Sequence, residues 1–108
     1  MNEFSHVEII YHFHKVEDPK ICLDSRHPRN NEALPKVGIF SQRGKNRPNK
    51  IGVTICKIIN VNARTIEVKG LDAIDGTPVL DIKPVFKEYL PTNVEQPFWV
   101  TGLMKNYW

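Results

Sequence analysis

Apolar and polar residues alternate from Val7 to His14. Val7, Ile9, Tyr11 and Phe13 fall on one side, and Glu8, Ile10, His12 and His14 on the other. A period of two predicts a half-buried strand. Residues Lys15 to Pro35 break the pattern and read as a long loop, with Ile21, Cys22 and Leu23 as an apolar island. Loops of that length in a compact domain are usually functional or mobile. Val37 to Phe40 is a short strand. Ile51 to Val61 is almost continuously apolar, interrupted at Thr54, Lys57 and Asn60. Such a run predicts a central strand covered on both faces. Asn62-Ala63-Arg64 is a hairpin turn, and Thr65 to Lys69 returns with Ile66 and Val68 inward. Val79 to Ile82 is the last strand, fenced by Pro78 and Pro84, which cannot donate to a ladder. Val85 to Leu90 is a helical turn or an extended arm. The aromatic-rich tail from Gln96 to Trp108 is expected to pack on the domain or on a partner subunit. The pattern gives a mainly β chain without repeats, and one closed or nearly closed sheet would remove its strand edges.

Length and composition narrow the picture. A chain of 108 residues suits one domain. Apolar residues make up 41% and charged residues 25%, the balance of a globular protein. No apolar run reaches the ~20 residues of a membrane span. The opening Met1-Asn2-Glu3-Phe4-Ser5 lacks the basic and apolar regions of a secretory leader, which places the protein in the cytoplasm. In that setting Cys22 and Cys56 are not expected to pair, and Cys56 reads as a small core residue. His12 and His14 share a strand face, but no third ligand is in register, so no metal site is expected.

The net charge is +3 and the pI about 9.0. The excess is modest, but it is clustered. Arg26, His27 and Arg29 form one group, and Arg43, Lys45, Arg47 and Lys50 another. Such clusters suit a polyanionic partner, or are simply solvated loops. Asp72 and Asp75 sit in a tight turn closed by Gly76. Aspartate caps turns often, so the pair is either a cap or a site. Asp81 lies within an apolar run and is expected to pair with Lys83.

Two stretches carry more than local chemistry. They are Gly38 to Gly52, GIFSQRGKNRPNKIG, and Gly70 to Pro84, GLDAIDGTPVLDIKP. Together they resemble the TrmO family (also called YaeB or TsaA-like), and the resemblance runs from about Phe4 to about Pro91. It implies a small single β-barrel over residues 1–108, without the N-terminal stretch that members usually carry. It also implies a tRNA methyltransferase that uses S-adenosyl-L-methionine and acts on N6 of the threonylcarbamoyl-adenosine at position 37. Composition and spacing alone do not suggest that cofactor, since no G-x-G-x-x-G follows a strand.

Carried residue by residue, the resemblance assigns cofactor contacts to His14, Lys15, Arg43, Val53, Ala73, Ile74, Asp75 and Gly76. Family members commonly show Gln where Lys15 stands. Candidate acceptors for the proton leaving the adenine nitrogen are Asp75, Asp72 and the Asn49 carbonyl. Arg26, Arg29, Lys45 and Arg47 are candidates for tRNA phosphates. A homodimer with the cofactor near the subunit interface is implied as well. The alternatives are an inactive RNA-binding barrel that has lost part of the cofactor site, and a small-molecule or interaction barrel.

Overall fold

The computed structural model describes residues 1–15, 25, 26, 28, 34–43, 45 and 47–105. Four strands form its main antiparallel sheet: β1 (His6–His12), β4 (Ile51–Val61), β5 (Ile66–Lys69) and β6 (Val79–Pro84). Their order across the sheet is β5-β4-β1-β6. Two short strands, β2 (Ser25–Arg26) and β3 (Val37–Gly38), pair separately. A 3-10 turn, Ile39–Ser41, enters the basic loop; another, Lys87–Tyr89, follows β6. One helix, α1 (Phe98–Met104), ends the described chain.

Antiparallel pairing puts facing residues on the same side. Val7 lies opposite Cys56 and Pro84, Ile9 opposite Thr54 and Ile82, and Tyr11 opposite Gly52 and Val79. This face carries the core. Val7, Ile9, Tyr11 and Cys56 are buried together, and Phe13, Ile58, Val68 and Ala73 pack against them. The alternation read from β1 therefore matches its burial, and Cys56 is a core residue as expected.

The sheet is not a barrel. Among the described residues β5 and β6 are its two free edges, each bonded to one neighbour. Four strands are too few to curl back on themselves at ordinary twist; even small barrels have about eight, or five in partly open forms. β4 is central in order, but among the described residues its second face is not covered: Val53 is 37% and Ile55 47% exposed. The long apolar run signalled a central strand correctly and two-sided burial incorrectly. Burial depends on what lies over the sheet, which strand patterning does not encode.

Two bulges shape the sheet. On β6, Leu80 is the extra residue between the Ile10–Asp81 and Tyr11–Val79 pairs. On β4, Ile59 is the extra residue before the Asn60–Glu67 pair. The hairpin between β4 and β5 is closed by Asn62 N–H donating to the Thr65 carbonyl at 2.8 Å. The tail held a helix that no apolar period announced. In α1, Trp99 is buried and Phe98 exposed. Seven residues are too few for a helix to persist without tertiary packing. Tyr107 and Trp108 lie outside the described residues.

Candidate functional site

The acidic turn between β5 and β6 is built by three devices. Gly76 takes a left-handed φ of +82°, which side chains disfavour, and lets the chain reverse. Thr77 donates twice to the Ile74 carbonyl, from its backbone N–H at 3.2 Å and its hydroxyl at 2.6 Å. Ala73 packs against the core. The strand end is then fixed by His12 N–H donating to the Pro78 carbonyl at 3.0 Å, beside the β6 bulge. Bulges next to sites re-aim side chains in this way.

The turn bounds a cleft of about 270 Å³. Ile9 and Tyr11 form one wall; Leu71, the run Ala73 to Thr77, and Val79 form the rest. Of the residues expected at the cofactor, Ala73, Ile74, Asp75 and Gly76 meet here. The cleft is mainly apolar, with one carboxylate, Asp75, at its exposed rim. Asp72 stands next to it, and its carbonyl accepts a 2.9 Å hydrogen bond from the buried Tyr11 hydroxyl.

None of the described residues of the basic loop lines this cleft. Arg43 is exposed, and its guanidinium donates to the Val53 carbonyl at 3.4 Å. The reason lies in the ladder. Ile58 N–H and the Lys50 carbonyl both face β1, so by two-residue alternation the Val53 carbonyl faces away from it. β5 pairs with β4 only from Lys57 onward, which leaves Val53 without a ladder donor on that side. Arg43 supplies one. Thr54, the next residue, bonds Tyr11, so the two loops are anchored on successive residues of β4.

Arg47 is turned inward. It donates to the carbonyls of Ile39 at 3.2 Å and Gln42 at 2.6 Å, and its guanidinium lies 5.3 Å from the Phe40 ring centre. A guanidinium used twice by its own loop has fewer donors left for a phosphate. Lys45 is exposed. Arg26 is described through its backbone, paired with Val37, and Arg29 lies outside the described residues.

Asn49 Oδ1 accepts from Ile51 N–H at 3.3 Å, an Asx turn that caps the start of β4. Its carbonyl is thus already engaged. His14 and Lys15 leave β1 next to the end of the basic loop, because Phe13 N–H donates to the Lys50 carbonyl at 2.8 Å.

The Asp81–Lys83 pair forms as expected, at 2.8 Å, but on the surface rather than in an apolar interior. The Lys83 hydrogen bond, with Ile82 N–H, holds the Asp81 carboxyl below its usual range, and Asp81 in turn raises Lys83. The sequence singled out the turn but missed Tyr11, Thr54 and Gly52. Their only signal was a polar residue and a glycine two apart in the mostly apolar run of β4.

Comparison with known proteins is consistent with this geometry. Residues 1–90 match the family model described as the tRNA-methyltransferase O N-terminal domain. A tRNA (adenine(37)-N6)-methyltransferase of Homo sapiens is 43% identical over 107 residues, 98% of this chain and 24% of that protein. A "Probable S-adenosyl-L-methionine-binding protein" of Pyrococcus abyssi is 35% identical over 89 residues, 82% of this chain and 46% of that one. The crystal structure of TrmO from Pseudomonas aeruginosa superposes with a TM-score of 0.68 at 26% identity, over 90% of this chain and 38% of its own. The chain thus spans about a quarter to a half of these relatives. The match extends over 90 of its 108 residues, and the chain belongs to the tRNA-methyltransferase O N-terminal domain family.

Proposed function

We propose that this chain carries the cofactor-binding part of an S-adenosyl-L-methionine-dependent tRNA methyltransferase acting on N6 of the threonylcarbamoyl-adenosine at position 37. The single observation that carries the reading is the cleft bounded by Ala73 to Gly76, formed by one of the two stretches that carry the family resemblance. The likeness to the human and Pseudomonas proteins supports the same reading.

The residues of the cleft suit part of that cofactor. Its volume, about 270 Å³, lies just below the ~300–1,000 Å³ of ordinary small-molecule sites. It therefore holds one end of the cofactor, and the remainder rests on groups outside the cleft. The apolar wall of Ile9, Ile74 and Val79 suits a flat or aliphatic portion. The Asp75 carboxylate accepts hydrogen bonds from an ammonium or a ribose diol. Arg43 has guanidinium donors beyond the one on Val53 for a carboxylate or phosphate, bound bidentately.

When bound, the cofactor supplies an electrophilic methyl on a sulfonium. The chain's part is to hold and orient, and to accept the proton of the exocyclic nitrogen. Asp75 is the acceptor best placed, since of the three candidates it lines the cleft, and the Asn49 side-chain oxygen is occupied by its turn. Lys45 and Arg43 are exposed for tRNA phosphates. The uncovered side of β4 favours a homodimer, and the site belongs in the cytoplasm with its substrate.

The test is transfer of labelled methyl to tRNA bearing the modified adenosine, alongside calorimetry with the cofactor. Transfer and binding are expected. No transfer with no binding would remove the reading. The small cleft favours a second reading, an RNA-binding module without catalysis. In that case tRNA binding is salt-sensitive and cofactor affinity is absent.

A further inference from the structure

The core of the sheet contains a hydroxyl chain aimed at the candidate site. Tyr11 is 4% exposed, and its hydroxyl lies 3.0 Å from Thr54 Oγ1 while donating to the Asp72 carbonyl at 2.9 Å. A phenol has one proton to give. If that proton goes to Asp72, the Thr54 hydroxyl must be the donor to Tyr11. The direction is therefore set: Thr54 to Tyr11 to the backbone of the acidic turn. Thr54 is the buried polar residue among the described ones, which fits a hydroxyl kept inside for its partner.

The ring is seated as specifically as the hydroxyl. Tyr11 faces Gly52 across the β1–β4 ladder. A Cβ at Gly52 would come within 2.7 Å of Tyr11 Cε2 and 2.8 Å of Phe13 Cζ. Phe13 packs edge-on to Tyr11 at 5.4 Å. So Gly52 makes the space, Phe13 closes it, and Thr54 sets the hydroxyl's orientation. The ring also forms a wall of the cleft.

From this geometry we infer that Tyr11 is a positioning residue: it fixes the Asp72 to Gly76 turn, and with it the cleft, through the Asp72 carbonyl. The inference rests on the proposed cofactor site for its consequence in binding, but not for its effect on the turn. Without the hydroxyl the Asp72 carbonyl loses a buried donor, and the turn loses its hydrogen bond to β1.

The experiment uses Tyr11→Phe, which keeps the ring, and Thr54→Val, which removes the donor behind it. Amide hydrogen exchange reads the turn at Thr77, whose N–H bonds Ile74 within it. The Asn62 amide, in the distal hairpin, is the reference. Calorimetry with S-adenosyl-L-methionine reads the site.

Tyr11→Phe should speed exchange at Thr77 about tenfold while leaving Asn62 unchanged, and weaken cofactor binding about tenfold, the effect of one buried hydrogen bond. Thr54→Val should act in the same direction, and the double variant should be no worse than Tyr11→Phe alone, since both act through one chain. Unchanged Thr77 exchange in Tyr11→Phe overturns the inference. So does equal acceleration at Thr77 and Asn62, which is global destabilisation, or a loosened turn that binds cofactor as the parent does. A parent chain that binds no cofactor, with Thr77 still selectively loosened by Tyr11→Phe, supports the positioning role and removes the methyltransferase reading instead.

Discussion

Arg43 and Arg47 are four residues apart in one basic loop, and the structure gives them different work. Arg43 is exposed with one long hydrogen bond at 3.4 Å. Arg47 is half-buried and joins two carbonyls of its own loop. Arg43→Ala should leave the melting curve nearly unchanged and weaken cofactor or tRNA binding. Arg47→Ala should cost about 1–3 kcal/mol, the loss of charge-assisted hydrogen bonds, read by denaturant unfolding. Equal effects of the two on stability would show that the loop is not divided in this way.

Cys56 gives a prediction with a sign. Burial pushes its thiol above the ordinary value of 9.0. In the unfolded chain the thiol ionises earlier. Stability from this group is therefore full below the ordinary thiol range and falls as pH rises from there through the raised native value. Unfolding free energy measured from pH 7 to 10 should decline, and Cys56→Ala should flatten the decline. Native Cys56 should also resist alkylation, since the thiolate is the reactive form.

At the scale of elements, the acidic turn rests on Gly76. A Cβ there would meet nothing within 4 Å, so any cost of Gly76→Ala is backbone strain at φ +82°. That strain is about 1–2 kcal/mol, or roughly 4–8 °C of melting temperature per kcal/mol for a domain near this size. A drop of that order, with loss of cofactor binding, is expected from a thermal scan and a titration. No change in either would mean the turn adapts freely.

The strands of the main sheet were legible because alternation or an apolar run reflects what each residue does locally, whereas β2 fell within the stretch read as a loop and the strand expected over Val37 to Phe40 gives way to a 3-10 turn at Ile39. β4 was bounded at Ile51 and Val61 by pattern alone, and β1 differed by a residue or two at its ends. The turn was legible because Asp, Gly and Pro have local reasons to be there. What the sequence did not contain was the partner of each side chain. Tyr11 reads as one more inward residue until Thr54, 43 positions away, is brought beside it. The bonds from Arg47 to the Ile39 and Gln42 carbonyls are likewise invisible in the charge pattern of its loop. Both depend on how the elements meet, and so did sheet closure, where the strand pattern led to a closed or nearly closed sheet that the structure does not form.

At the scale of the whole molecule, the open sheet has a consequence. The radius of gyration is 15.7 Å, against about 13 Å for a compact chain of this length. Two free edges and an outer face uncovered among the described residues account for part of that extension. On the outer face Val53 and Ile55 are exposed beside Ile10, rimmed by Glu8, Lys57, Asp81 and Lys83. Ile59 and Leu80, at the bulges, add 52% and 55% exposed side chains. An apolar centre with a charged rim has the anatomy of an interface. The rim is of mixed sign, so it can complement a second copy of itself across a two-fold axis. We therefore expect the chain to self-associate in a concentration-dependent way by sedimentation velocity. Ile55→Thr keeps a β-branched residue in the strand and removes apolar surface from the centre of the face. It should shift the population towards monomer without lowering the melting temperature by more than a degree or two, because Ile55 contributes nothing to the core on the opposite face. A parent chain that stays monomeric across the accessible concentration range would mean that something other than a second copy covers this side of β4.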